Sequence, residues 1–222
     1  MSWTKPNHEV EIKLRVADPR ALRVRLKRLR AERIIPRTFE SNTLYDTASR
    51  DFKRRGQLIR IRIERPAYGG SQNKPERTGA ALLTYKGPVP SLRGPIRSRT
   101  KPSDGSRFKI LAEVEVVVDP GEQMSRILTA LGLNPVFRYE KYRTTYAIPG
   151  VPGLKVEFDE TPIGLFVELE GSPRLIDRAA RLLGYSHSDY VTESYGALYL
   201  AECRRSKRSP SDMLFQPTKK LR

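Results

Sequence analysis

The sequence predicts an α+β fold: antiparallel strands closing, or nearly closing, into a barrel whose charged faces point inward, with helices packed outside. Three observations lead there. Eight runs along the 222 residues alternate apolar and polar side chains, the period-two signature of half-buried strands. Three other stretches carry helix-opening signals followed by an apolar stripe at helical spacing. The polar faces of the strands also carry like-signed charges in pairs two residues apart.

The alternation begins at "EVEIKLRV", residues 9–16, with Glu9, Glu11, Lys13 and Arg15 on one face and Val10, Ile12, Leu14 and Val16 on the other. Asp18-Pro19 then opens a helix as an N-cap and a first-turn proline, with Leu22, Leu26 and Leu29 as its stripe. "NTLYDT" (42–47) and "QLIRIRIE" (57–64) form a hairpin-like pair around "ASRDFKRRG", and Arg60 and Arg62 oppose Ile59, Ile61 and Ile63. "ALLTYK" (81–86) ends at Lys86, between two Pro-, Gly-, Ser- and Arg-rich loops at 66–79 and 87–106. "FKILAEVEVVVD" (108–119) sets Glu113 and Glu115 against Val114 and Val116. Asp119-Pro120 repeats the helix opening, followed by Met124, Ile127, Leu128 and Leu131 and closed by Gly132. "YEKYRTTYAI" (139–148) places Lys141 and Arg143 on one face. "LKVEFDE" (154–160) and "LFVELEG" (165–171), joined by "TPIG", add Lys155, Glu157, Asp159, Glu168 and Glu170. Ser172-Pro173 opens the third helix, with Ile176, Ala179 and Leu182 or Leu183 before Gly184. The recurrence hints at a duplicated strand–helix unit. Residues 204–222 read as a basic, disordered tail in which only Leu214 and Phe215 look able to dock.

Composition narrows the function classes. Apolar residues make up 38% of the chain, enough for a core. No stretch approaches the roughly 20 apolar residues of a membrane helix, so no membrane partner is expected. A lone cysteine, Cys203, excludes an internal disulfide framework, and with only His8 and His187 a zinc centre has no ligand set. "MSWTKPNHEV" lacks the regions of a secretory signal, so a cytoplasmic monomer or homodimer is expected. The net charge of +17 attracts polyanions, including nucleic acid and phosphate-rich small molecules. Much of it lies in the helix-like stretch 20–33 and the tail, which a solvated face and a solubilising tail explain equally well.

The strand charges speak more sharply. Residues i and i+2 on a strand lie roughly 7 Å apart. At an effective dielectric of about 20, like charges at that distance repel by about 2 kcal/mol. Four acid pairs (9/11, 113/115, 157/159, 168/170) are therefore a poor choice for a flat solvated sheet. Gathered in a lumen they make oxygen-rich sites for hard divalent cations such as Mg²⁺ or Mn²⁺. The cation pairs 60/62 and 141/143 match phosphate, since Arg offers a fork of donors and Lys a point charge. A ligand that needs metal and cations together is a polyphosphate. A barrel of about eight strands is just wide enough for one small ligand.

Glu9-x-Glu11-x-Lys13 resembles the signature of the CYTH superfamily, the triphosphate tunnel metalloenzymes. "LYDT", "LIRIRIE", "LTYKGP", "EVEV", "YEKYR", "DETPIGLFVELEG" and "TESYGALY" follow in order, so the resemblance spans residues 8–200. "DETPIGLFVELEG" most resembles the branch labelled class IV adenylate cyclase; thiamine triphosphatases and inorganic tripolyphosphatases share the superfamily. The resemblance implies an eight-stranded antiparallel tunnel over residues 1–203 that holds a triphosphate and acts with Mg²⁺ or Mn²⁺. By position it implies that Lys13, Arg60, Arg62, Lys86, Lys141 and Arg143 hold phosphoryl oxygens, with Lys13 and Lys86 as catalytic cations. Glu9, Glu11, Glu168 and Glu170 would hold one metal, and Asp159 with Glu113 or Glu115 would hold or share a second. Arg15, Lys155 and Glu157 are expected to form structural ion pairs, and Tyr45, Tyr142 and Tyr195 to pack. Attack by water on the terminal phosphorus gives a triphosphatase; attack by a ribose 3′-hydroxyl on the α-phosphorus gives a cyclase. Hydrolysis of a compact triphosphate such as tripolyphosphate is favoured, because no stretch clearly supplies a nucleobase pocket. A basic module binding nucleic acid or polyphosphate, partly through the tail, is the rival class. The two long loops and the tail depart from the family's pattern.

Overall fold

A computed structural model describes residues 7–67, 80–89 and 107–216. Most of both predicted loops, residues 68–79 and 90–106, lies outside the described residues. Eight strands, β1 (Asn7–Arg15), β2 (Glu32–Asp46), β3 (Leu58–Pro66), β4 (Ala81–Gly87), β5 (Lys109–Val118), β6 (Asn134–Ala147), β7 (Lys155–Thr161) and β8 (Gly164–Glu170), pair antiparallel in the order β5-β4-β3-β2-β6-β7-β8-β1. β5 also pairs with β1, Glu11 opposite Lys109, so the sheet closes into a barrel. A two-residue strand, β9 (Tyr190–Val191), adds to β1 at Lys13 and Leu14.

Helices α1 (Pro19–Arg28), α3 (Gly121–Ala130) and α4 (Pro173–Leu182) cover outward apolar faces; of the stripe predicted for α3, Leu128 and Met124 pack inward, whereas Ile127 and Leu131 are exposed. Asp18 caps α1, its carboxylate accepting from the N–H groups of Arg20 and Ala21 at 2.8 and 3.1 Å. Leu22 and Leu26 of α1 and Ile176 and Ala179 of α4 bury against Ile12 and Leu14 of β1, Val156 of β7, and Val167 and Leu169 of β8. Each such side chain contributes about 1.5–3 kcal/mol by leaving water. Leu128 of α3 packs with Tyr45 and Ile61 on the outside of β2 and β3. On the outer face of β5 Val118 packs with the α3 cluster, but Val114 and Val116 are 59% and 52% exposed.

Several expectations need correction. α3 starts at Gly121 with Pro120 at its cap position, so Asp119 stands outside it, and no side chain caps it. β2 begins ten residues before "NTLYDT", because register shifts around Ile35 accommodate Pro36 in a stretch without alternation. A short α2 (Asp51–Arg54) sits in the β2–β3 connection, and an unpredicted α5 (Tyr195–Arg205) opens at Ser194, whose hydroxyl accepts from the Ala197 N–H. The tail is not disordered over its described part. Arg204 and Arg205 finish α5, and Met213 is 1% exposed, its N–H and C=O bonded to Arg138 and Glu140 of β6. Asp212 accepts from the Arg138 N–H at 2.8 Å, and the Phe215 ring lies 5.2 Å from that of Tyr142. Residues 217–222 lie outside the described residues.

Candidate active site

Closure turns the odd-even alternation of each strand into an inside and an outside, and the charged faces face in. Lys13, Arg60, Arg62, Lys86, Lys141 and Arg143 all line one cavity of about 190 Å³, together with Glu9, Glu11, Glu113, Glu115, Glu168 and Glu170. Around β1, Glu11 accepts from Lys13 at 3.0 Å and from Lys109 at 2.5 Å, and Lys13 lies 3.4 Å from Glu168. Lys86 joins Glu9 at 2.5 Å and Glu113 at 3.2 Å. Arg60 donates to Thr84 at 3.1 Å and to the Tyr139 hydroxyl at 3.3 Å, while Thr84 donates to Glu115 at 2.7 Å. Lys155 and Glu170 pair at 3.0 Å on the rim.

The densest knot lies on β6 and β7. Asp159 is fully buried and accepts from Lys141 at 2.9 Å, from both sides of the Arg143 fork at 2.7 and 2.6 Å, and from the Tyr195 hydroxyl at 2.7 Å. Arg143 also donates to Glu168 at 2.7 Å and pairs with Glu157. Tyr195 is therefore a lumen residue rather than simple packing, brought there by the first turn of α5. Sequence reasoning also missed Glu40, Asn42, Lys109 and Tyr139. Lys109 shares the alternation of Glu113 and Glu115, so it was legible; Glu40 precedes the part of β2 that alternates.

The crowd of charges sets each group's titration. Burial opposes ionisation of Glu40, yet Lys141, Arg62 and Arg143 hold its carboxyl down to about 2. Burial opposes Glu11 too, but Lys13 and Lys109 keep it far below the usual carboxylate range. Lys13 and Lys86 resist burial through their acid neighbours, so both are raised and stay ammonium. Glu157 moves the other way: burial pushes it up to about 7, with Glu168 adding and Arg143 opposing.

The metal groupings are less complete than expected. Among the described residues, no three His, Cys, Asp or Glu side chains are arranged to hold a metal ion. Glu11 stands directly opposite Glu170 across β1 and β8, but Lys109, Lys13 and Lys155 hold their oxygens. Asp159 is engaged by Lys141, Arg143 and Tyr195, and β8 and β1 lie between its strand and that of Glu113 and Glu115. The donors are all carboxylate oxygens, which fits a hard divalent ion once the lysines give way.

At the end where β2 finishes and β3 and β6 begin, the inward columns change character. Glu40 and Asn42 give way to Leu44, Arg62 and Arg60 to Leu58, and Lys141 and Tyr139 to Phe137. Beyond them lies a second cavity of about 750 Å³ that shares Leu58 and Ser194 with the tunnel.

Known proteins show the same architecture. A Methanocaldococcus jannaschii protein described as a candidate adenylate cyclase is 27% identical over 176 residues, 79% of this chain and 83% of its own. Among solved structures, a Vibrio parahaemolyticus protein with the same description superposes with a TM-score of 0.65 at 18% identity, covering 86% of this chain and 97% of the other. Protein PH1819 of Pyrococcus horikoshii gives 0.63 at 22% identity, with 87% and 99% covered. A Hippeastrum protein, described as a candidate adenylyl cyclase with a dominant triphosphatase activity, gives 0.54 at 21% identity, with 91% and 97% covered. Residues 7–195 match the CYTH domain, and the chain belongs to the CYTH domain family.

Proposed function

We propose that the chain is a divalent-metal-dependent phosphohydrolase that takes a triphosphate into the tunnel. One observation carries this reading: two buried donors inside the barrel, Asn42 Nδ2 and Arg60 Nε, have no acceptor among the described residues. An unmade buried hydrogen bond costs about 1–3 kcal/mol, so each needs a partner. They stand among Arg62, Lys141 and Tyr139, where phosphoryl oxygens are the matching acceptors. The acid–base pairs act as placeholders: an entering triphosphate takes over Lys86, Lys13 and Arg143, and the freed carboxylates become available. Glu11 and Glu170, with Glu9 and Glu168 beside them on the same two strands, would then hold a divalent ion. Such an ion, Mg²⁺ or Mn²⁺, supplies neutralisation of charge on the β- and γ-phosphoryl oxygens. Lys13 and Lys86, fixed as ammonium groups, cannot take a proton from water; they stabilise the charge that builds on the bridging and terminal oxygens.

The triphosphatase activity ascribed to the Hippeastrum relative supports hydrolysis. The names of the other relatives favour a second reading, conversion of ATP to cyclic AMP and pyrophosphate. Chromatography of products after incubation with ATP and Mn²⁺ separates the two: ADP and phosphate are expected, and stoichiometric cyclic AMP with pyrophosphate would overturn hydrolysis. Inactivity on tripolyphosphate, thiamine triphosphate and nucleoside triphosphates, with Mg²⁺ and Mn²⁺ each tried, would overturn both and leave the polyanion-binding module.

A further inference from the structure

Lys109 lies four residues before "EVEV" and outside every motif that carries the family resemblance. At the seam where β5 meets β1 it stands directly opposite Glu11, and its ammonium donates to Glu11 Oε1 at 2.5 Å. Lys13 donates to the same oxygen at 3.0 Å, so one carboxylate oxygen already meets two cations. The two lysines are held differently. The Lys13 side chain is 3% exposed, lies 3.4 Å from Glu168, and has its ammonium 5.2 Å from the centre of the Tyr195 ring. The Lys109 side chain is 25% exposed, and Glu11 is its only ion-pair partner among the described residues. Lys13 thus divides its charge between two acids, whereas Lys109 belongs to Glu11 alone. A flexible four-carbon stem lets its ammonium leave without unpairing any other group.

From this contrast we propose that Lys109 is a resident cation on Glu11: it keeps a divalent ion off that carboxylate until a triphosphate draws the ammonium onto its own oxygens. Metal then binds tightly only to the triphosphate-loaded chain. The proposal rests on the reading of the lumen as a triphosphate site. An ammonium and a divalent ion compete for the same oxygen and repel each other at contact distance. Lys109 already lines the cavity that the phosphates would enter, and a phosphoryl oxygen is a strong acceptor for it there. Lys109 is therefore a positioning residue, acting on the metal through Glu11.

Calorimetry on the full chain tests this without turnover. In Mg²⁺ titrations of the ligand-free chain, Lys109→Met and Lys109→Gln are expected to tighten binding at least about tenfold, and Lys109→Arg, which keeps the charge, to leave it as in the wild type. In titrations with a non-hydrolysable ATP analogue without Mg²⁺, the two neutral variants are expected to bind about tenfold more weakly, the weight of one charge-assisted contact. The factor by which Mg²⁺ tightens the analogue is expected to fall about tenfold in the same variants. Two neutral substitutions are used so that a folding defect in one, read as a lowered Tm, does not decide the outcome. Unchanged Mg²⁺ affinity in both, with the analogue still bound by the wild type, overturns the proposal and leaves the tunnel reading standing. Tighter Mg²⁺ binding with an unchanged coupling factor overturns it too, because Lys109 would then repel the ion in both states without moving. A wild-type chain that binds no analogue, with or without Mg²⁺, overturns the tunnel reading and the proposal with it.

Discussion

Arg60 shows how much one inward residue carries. Its guanidinium bridges Thr84 and Tyr139, and its Nε has no acceptor among the described residues. Arg60→Ala is expected to raise the KM for a triphosphate by about 10- to 100-fold, the weight of a charge-assisted contact, with a smaller change in kcat. An unchanged KM would remove Arg60 from the phosphate site. Glu40 plays the opposite part, a buried acid that gathers Arg62, Lys141 and Arg143. Its carboxyl falls from an ordinary 4.5 to about 2, so its stabilising contribution is complete above 4.5 and is lost as pH falls through 2. The shift is worth about 3 kcal/mol. Glu40→Gln is expected to lower stability at neutral pH by a similar amount and to flatten the acid limb between pH 4.5 and 2; chemical denaturation at several pH values reads both. Arg60 was legible in the sequence because "LIRIRI" alternates without a break. Glu40 was not, because "RIIPRTFE" does not, and its meaning comes from register with Lys141.

Among elements, the C-terminal segment departs most from what composition suggests. Its polar, basic letters resemble a tail, yet a few side chains fix it: Asp212 on β6, Met213 in the cluster with Tyr139 and Tyr199, and Phe215 on Tyr142. Such order depends on partners far away in sequence, so no local pattern announces it. The same holds for α5, whose value lies in the single turn that puts Tyr195 against Asp159. The barrel strands, by contrast, are legible because a strand with one charged and one apolar face has few places to go. Met213→Ala is expected to cost about 2–4 kcal/mol, seen as a lower Tm. Truncation after Arg205 removes Met213 and one wall of the second cavity, so it should lower Tm further. A truncated chain with wild-type Tm would show the segment to be dispensable.

On the scale of the whole molecule, the tunnel is nearly neutral. Glu40 and Asp159 join the seven glutamates that line it, and eight lysines and arginines face them. Neutrality makes metal and triphosphate interdependent: each frees the partner groups the other needs. Calorimetry should therefore show Mg²⁺ raising triphosphate affinity by about 5- to 150-fold, and triphosphate raising Mg²⁺ affinity by the same factor, as linkage requires. Independent binding would mean that the placeholder pairs do not exchange. Neutrality inside leaves the excess positive charge of the described residues outside the tunnel. Arg20, Arg23, Lys27, Arg28 and Arg30 are exposed on and just after α1, and Arg204, Arg205, Lys207 and Arg208 at the end of α5. None of them lines the tunnel. A surface so charged should hold long polyanions without sequence preference, with an affinity that falls linearly in log–log terms as salt rises. Titrating a fluorescent RNA at increasing KCl tests this. The triple variant Arg20→Glu, Arg23→Glu, Lys27→Glu is expected to weaken RNA binding and shallow its salt slope by about 3, while calorimetric affinity for a non-hydrolysable triphosphate stays unchanged. RNA affinity that ignores salt, or that falls together with triphosphate affinity, would instead place the RNA at the tunnel mouth and give the outer charge no role in recognition.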